Sequence, residues 1–135
     1  MERLRERLGL ARKALTTLSQ ALAEPKTAMN RDASIQRFEY TYEAVWKAAQ
    51  AYLISVENLE TGSPTAVARA SFRVGLLTEE QSRAVLRMAA DRNLTVHTYN
   101  EEIAEQIYSG LAAHTAVMGS WIDAMTEALR GPAAP

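Results

Sequence analysis

The feature that most constrains this chain is a long apolar stripe in its second quarter. The stripe alternates steps of three and four residues over more than three heptads, which is the repeat of one face of an α-helix. Its members are Ile35, Phe38, Tyr42, Val45, Ala49, Tyr52, Val56 and Leu59. A helix with such a seam buries it against other helices, so the pattern predicts a helical bundle. Trp46 and Leu53 widen the apolar face and suggest an additional contact surface, and Gly62 is the predicted stop.

Two further helices are predicted on either side of this one. Residues 2–23 carry an apolar stripe of their own, and Pro25 ends it. Ser63 followed by Pro64 has the pattern of an N-cap with proline at the first helical position. This short helix is expected to run to about residue 74, where Gly75 breaks it.

Two capping boxes predict the last pair of helices. Thr78 with Gln81 starts a helix over about residues 79–93, and Thr98 with Glu101 starts the final one. The stripe of the final helix is Ile103, Ile107, Leu111, His114, Met118, Trp121, Met125 and Leu129. Because no strand-like alternation competes, the expected fold class is all-α, an antiparallel four- to five-helix up-and-down bundle. We expect one domain over residues 1–131 and a flexible tail at 132–135.

Composition narrows the class of function. The net charge of −1 gives no support to tight, nonspecific nucleic-acid binding, so the arginines of the first helix are better explained as a solvated face. The absence of cysteine removes disulfides and thiolate catalysis. No signal-type or membrane-spanning apolar segment occurs in the sequence, so we expect a cytoplasmic protein with no membrane partner.

The stretch DRNLTVHTYNEE, residues 91–102, concentrates the chemically useful side chains. On an unbroken helix Arg92 and His97 would lie roughly 140° apart, so either the helix breaks between them or a second copy completes the pair. Arg92 can grip a phosphate through parallel hydrogen bonds, and a histidine with a pKa of about 6.5 can take a proton from a ribose 2′-hydroxyl. Together they suit metal-free RNA cleavage that leaves a 2′,3′-cyclic phosphate and a free 5′-hydroxyl.

A structural explanation of the same residues has to be weighed beside the chemical one. An arginine and a histidine at a helix junction commonly act as a cap and a hydrogen-bonding residue, and spacing alone favours that role. Tyr99 is equally well explained as a boundary aromatic. His114 lies on the apolar stripe of the last helix without an obvious partner, and we interpret it as structural.

An ordered set of segments adds a family resemblance. The segments are Ser34–Glu43 followed by Trp46-Lys47, then Ser63-Pro64, Phe72–Leu77, Arg92–Glu102 and Ile107-Tyr108. Residues 92–99 have an arginine, four residues, a histidine, one residue and a tyrosine, which resembles the motif of the HEPN superfamily. More closely, residues from about 32 to 108 resemble its HepT-like branch, whose members are also described as nucleotidyltransferase substrate-binding proteins.

The resemblance implies a ribonuclease toxin that works as a homodimer, without metal or other cofactor, on RNA and not on DNA. Arg92 and His97 are then the catalytic pair, and Asn93 is the polar neighbour that helps orient them. A small nucleotidyltransferase antitoxin would neutralise the toxin by attaching AMP to Tyr99, which adds bulk and negative charge beside His97. The alternative is a non-catalytic, substrate-binding subunit of a two-component nucleotidyltransferase. Glu39, Glu43, Glu101 and Glu102 would tune the site or contact a partner, although a solvated surface is the simpler account of them.

Overall fold

The computed structural model describes residues 1–131, and these form a bundle of α-helices. The helices are α1 (Glu2–Ala23), α2 (Ala28–Glu57), α3 (Pro64–Arg73), α4 (Glu79–Leu94) and α5 (Glu101–Leu129), with a 3-10 turn at Thr95–His97 between α4 and α5. No strand occurs in this part of the chain, and the predicted all-α bundle is confirmed. The expected flexible tail at 132–135 lies outside the described residues.

Side-chain contacts give the directions of the three long helices. The Thr17 carbonyl of α1 accepts from Arg37 of α2, and the Ala21 carbonyl accepts from Asn30, so α1 and α2 are antiparallel. Arg31 pairs with the start of α5 at Glu101, and Phe38, two turns later, stacks on His114 of α5. Helix α5 therefore runs alongside α2 in the same direction, and both place residues at the junction that follows α4.

The core is one cluster of buried apolar residues drawn from all five helices. The α2 stripe is buried from Ile35 to Tyr52, as predicted. Its last two members, Val56 and Leu59, are each 39% exposed. Leu53 and Trp46 pack on the same core, so they enlarge it rather than form a separate contact surface.

The end of α2 differs from the prediction. Asn58 adopts a left-handed conformation with φ 56°, and its backbone N–H bonds to the Leu53 carbonyl. Asparagine tolerates this conformation better than most residues, so the helix ends at Glu57, five residues before Gly62. The expected extension of the stripe to Leu59 was therefore wrong.

The helix starts follow the predicted capping chemistry in two cases out of three. Ser63 caps α3 with Pro64 in the first turn, and Thr78 with Gln81 forms the expected capping box of α4. The cap of α5 is Asn100, whose side chain accepts from the N–H groups of Glu102 and Ile103. Thr98 has helical dihedral angles, whereas a cap needs an extended backbone, so the capping box predicted from Thr98 was wrong.

None of the helices within residues 1–131 is both long and apolar enough to cross a membrane.

Candidate functional site

The junction between α4 and α5 carries the residues that the sequence singled out. Arg92 lies in the last turn of α4, the 3-10 turn covers Thr95–His97, and Tyr99 precedes the cap of α5. The Thr95 hydroxyl donates to the Arg92 carbonyl at 2.8 Å, a local bond that competes with helix continuation. The predicted helix break between Arg92 and His97 is confirmed.

Arg92 is surrounded by acceptors but is loosely held. Its guanidinium nitrogens lie 3.4 Å from a Glu43 carboxylate oxygen and 3.7 Å from one of Glu39, and 3.5 Å from the Thr95 hydroxyl. These distances are long for charge-assisted hydrogen bonds. The Arg92 Nε atom is buried and makes no hydrogen bond. Arg92 is thus a partly buried cation that is paired with two carboxylates at long distances.

His97 and Tyr99 form a second, exposed group. The His97 Nδ1 atom lies 3.3 Å from the Tyr99 hydroxyl, and the two rings meet edge to face with centroids 5.9 Å apart. Tyr99 is 84% exposed, so its phenol is fully reachable by another protein. Within one chain Arg92 and His97 have different partners. The structure therefore brings them to one junction without joining their side chains.

A cavity of about 280 Å³ opens beside Arg92, between α2, the start of α3 and the end of α4. It is lined by Tyr42, Glu43, Pro64, Thr65, Ala89, Arg92 and Asn93. The Tyr42 side chain is only 2% exposed, and its hydroxyl has no hydrogen-bond partner. Burial raises the pKa of Tyr42 to about 12, with a further increase from the charge of Glu43 and a decrease from that of Arg92. The phenol is therefore a neutral hydrogen-bond donor at physiological pH.

A buried arginine ties the start of α5 to α2. The Arg31 side chain is 4% exposed and donates to Glu101 at 2.7 Å and to Glu105 at 3.0 Å in the first turns of α5, and to Asp32 of its own helix. The hydrogen bonds from Arg31 hold the pKa of Glu101 below its usual range. Bonds from Lys26 and then Arg31 do the same to the pKa of Glu105. This network positions the segment that carries Tyr99.

His114 has a structural role, as predicted, but it also has a partner that the sequence did not reveal. Its Nε2 atom lies 2.7 Å from a carboxylate oxygen of Asp91, and its ring stacks on Phe38 at 5.4 Å. Asp91 directly precedes Arg92, so this contact fixes the end of α4 against α5. The pair is 23 residues apart in sequence, and no local spacing predicts it.

Three residues around Arg92 gain importance from the structure. Glu39 and Glu43 were most simply explained as solvated, yet both face the guanidinium. Tyr42 was assigned to the apolar stripe, where its ring does lie, and its side chain also lines the cavity. Its hydroxyl alone would not have singled it out, because Tyr52 brings a second hydroxyl to the same stripe.

Comparison with known proteins gives one family match and several similar proteins. A family model described as "Nucleotidyltransferase substrate binding protein like" matches residues 6–127. A solved structure from Thermus thermophilus is 48% identical, with a TM-score of 0.82 over 85% of this chain and 98% of that one. The fold is also similar to HI0074 of Haemophilus influenzae, with 19% identity and a TM-score of 0.73 over 88% of this chain and 98% of that one. HI0074 is described as having the fold of a substrate binding domain of a nucleotidyltransferase.

One curated sequence is also similar over part of its length. The bifunctional purine biosynthesis protein PurH of Rhizobium johnstonii is 33% identical over an alignment of 88 residues that covers 61% of this chain. The chain spans only 16% of the length of that protein.

Proposed function

The chain belongs to the nucleotidyltransferase substrate binding protein-like family, and on that premise we propose that it is the helical, non-catalytic subunit of a two-component nucleotidyltransferase. In this role it binds a phosphate-bearing substrate at the α4–α5 junction and presents it to the catalytic partner. The observation that carries the proposal is the state of Arg92. The Arg92 guanidinium is partly buried beside an open cavity, and its contacts with Glu43 at 3.4 Å and Glu39 at 3.7 Å are long enough to be exchanged for contacts with an anionic group.

The test of this role is nucleotidyl transfer by a nucleotidyltransferase catalytic subunit from the same organism, assayed with and without this chain. We expect the chain to bind the catalytic subunit and to raise the rate of transfer. Arg92→Ala should abolish the increase without abolishing the complex. Arg87→Ala is the matched control, because Arg87 is an exposed arginine of the same helix. If the chain neither binds the catalytic subunit nor changes the rate, the proposal is wrong.

A second candidate function is a metal-independent ribonuclease of the HEPN type, and the arrangement of His97 and Tyr99 favours it. An exposed imidazole is available to take the proton of a ribose 2′-hydroxyl, while Arg92 stabilises the charge on phosphorus. The 2′-oxygen then bonds to phosphorus, and the 5′-oxygen leaves with a proton supplied by an acid, giving a cyclic phosphate and a 5′-hydroxyl. The unmodified Tyr99 hydroxyl lies 3.3 Å from His97 Nδ1. AMP attached to that hydroxyl would therefore lie against His97 and block the site.

The ribonuclease reaction requires Arg92 and His97 to act on one phosphate, and their separate partners within a chain suggest that two protomers supply them. Purified protein of known intact mass is incubated with total RNA in EDTA, beside Arg92→Ala, His97→Ala and the Arg87→Ala control. Cleavage by wild type and the control, but by neither site variant, supports the ribonuclease. Refolding the two inactive variants together is the sharper test, because a mixed dimer regains one complete site only if each protomer supplies one residue. Absence of cleavage by unmodified protein would leave the subunit role as the better explanation.

A further inference from the structure

The outer side of the α1–α2 pair carries a second row of residues on each helix, apart from the stripes that enter the core. Each row recurs at steps of three and four residues, which is the repeat of one helix face. On α1 the row is Arg3, Arg7, Leu10, Ala14 and Thr17. On α2 it is Tyr40, Ala44, Lys47, Ala51 and Ile54. None of these residues is fully buried, and we call the space between the two rows the α1–α2 groove.

Cavities and a hydrogen bond show that the two rows lie side by side. A cavity of about 190 Å³ separates the first two turns of α1 from Ala51 and Ile54 of α2. A second cavity, of about 110 Å³, shares Arg7 and Lys47 with the first, so the two are adjacent. At the far end the hydroxyls of Thr17 and Tyr40 bond to each other. The stretch of α2 from Tyr40 to Ile54 makes the groove about 21 Å long.

The groove exposes large apolar side chains beside small ones. Leu10, Tyr40 and Ile54 are between 43% and 63% exposed. Ala44 and Ala51 lie between the last two along α2, and their short side chains leave room for atoms of another molecule. Exposed apolar side chains grouped around a depression are typical of a surface that contacts a partner.

The charged residues that line the groove are all cationic. They are Arg3, Arg7 and Lys47, and neither cavity is lined by an acidic residue. Within residues 1–131, Arg3 and Arg7 make no ion pair, and Lys47 has only a long contact of 3.9 Å with Glu43. The groove is therefore a local site of positive charge on a chain whose net charge is −1. Its charge calls for a partner that supplies carboxylates or phosphates.

The same features disfavour three kinds of occupant. A second copy of the chain, bound through the same face about a twofold axis, would bring these cations against their own kind. Single-stranded RNA is held by stacking its bases on aromatic rings, and no aromatic ring lines either cavity. An extended peptide needs a free sheet edge for its backbone, whereas the backbone groups of α1 and α2 are bonded within the helices.

We propose that the α1–α2 groove docks an amphipathic α-helix of another protein, apolar on the face that enters the groove and acidic along its edges. Apolar side chains of that helix fill the two cavities, and its carboxylates pair with Arg3, Arg7 and Lys47. About 14 helical residues match the length of the groove. The inference goes beyond the proposed function, because Arg92 lines neither cavity.

The test is binding of a synthetic amphipathic peptide to the full chain, measured by fluorescence anisotropy of the labelled peptide. The peptide carries leucine along one face and glutamate on both edges, and has about 18 residues so that it covers the groove and can form a helix. A second peptide carries lysine in place of every glutamate. We expect the acidic peptide to bind more tightly than the basic one by about tenfold or more. If it binds no better, the proposal is wrong.

Two matched pairs of variants locate the binding site. Arg7→Glu should weaken binding of the acidic peptide by about tenfold, whereas Arg5→Glu, the same charge change on α1 outside both cavities, should not. Ala51→Phe should block the larger cavity and prevent binding, whereas Ala112→Phe, at an exposed position of α5, should not. Circular dichroism shows whether each variant keeps its helices. Because the two changes act by charge and by volume, misfolding of one leaves the other decisive.

Three results would overturn the proposal. Equal losses in Arg5→Glu and Arg7→Glu would mean that net charge alone attracts the peptide. Self-association of the wild-type chain that is lost in Ala51→Phe, measured by light scattering, would mean that a second copy occupies the groove. Binding of an RNA oligonucleotide that depends on Arg7 and Ala51, with no binding of the acidic peptide, would make the groove an RNA contact.

The same variants identify the source of the docked helix. Loss of the complex with the nucleotidyltransferase catalytic subunit in Ala51→Phe, but not in Ala112→Phe, would assign the helix to that subunit and support the docking role. A complex that survives Ala51→Phe, while peptide binding is lost, would support docking of a different protein. Failure of the chain to bind or stimulate the catalytic subunit refutes the proposed function alone, since the peptide measurements do not depend on it.

Discussion

Replacing Asn100 with alanine tests how the junction that carries His97 and Tyr99 is held in place. The Asn100 side-chain oxygen accepts from the N–H of Glu102 at 3.0 Å and from that of Ile103 at 3.3 Å. Loss of an N-cap asparagine costs about 1 kcal/mol, and the ion pairs of Arg31 with Glu101 remain to hold the first turn. We therefore expect Asn100→Ala to lower the free energy of unfolding by about 1 kcal/mol.

The assay is chemical denaturation combined with hydrogen exchange at individual amides. The Glu102 and Ile103 amides should exchange about fivefold faster in Asn100→Ala, because about 1 kcal/mol corresponds to a factor of that size. Thr98→Ala is the control, since the Thr98 hydroxyl makes only a 3.3 Å bond to the Thr95 carbonyl, and it should change stability by less than about 0.5 kcal/mol. Asn100→Ser should retain most of the stability, because serine caps nearly as well as asparagine.

A larger loss in Thr98→Ala than in Asn100→Ala would refute this reasoning. It would mean that Thr98 caps α5, as its spacing to Glu101 first suggested, and that the observed conformation of the junction is not the one in solution. Equal and negligible effects would mean that the Arg31 ion pairs alone hold the start of α5.

Two further predictions concern charge. Arg31→Met should lower the thermal midpoint near neutral pH, because Glu101 loses the partner that lowers its pKa and Glu105 keeps only Lys26 of its two. A carboxylate with a lowered folded-state pKa contributes its full stabilisation above the unfolded-state pKa of 4.5 and loses it as the pH falls through the folded-state pKa. The deficit of Arg31→Met in thermal scans should therefore shrink as the pH falls below 4.5. Glu39→Gln removes one of the two carboxylates near Arg92 and should tighten phosphate binding by about threefold, while Glu127→Gln, the same charge change near the end of α5, should not; equal effects in calorimetry would point to net charge alone.

Local physical chemistry accounts for most of the helices. The alternation of apolar residues along α2 and α5, the proline after α1, and the Ser63-Pro64 and Thr78–Gln81 starts are properties of neighbouring residues, and the structure agrees with them. The errors occurred where two local solutions compete. Asn58 ends α2 before Gly62, and Asn100 caps α5 in place of Thr98. In each case two nearby residues could fill the same role, and the backbone conformation of one of them decides which does.

The candidate site was likewise predictable from the sequence only in part. The chain alone placed Arg92, His97 and Tyr99 at a helix junction, because weak helix formers between them predict a break. Tertiary packing alone decided what surrounds them. Glu39 and Tyr42 lie about 50 residues before Arg92 in the chain, and they come near it only because α2 packs against α4. Sequence periodicity records which face of a helix is buried, but which polar groups from distant helices meet at that face depends on how the helices are arranged in space.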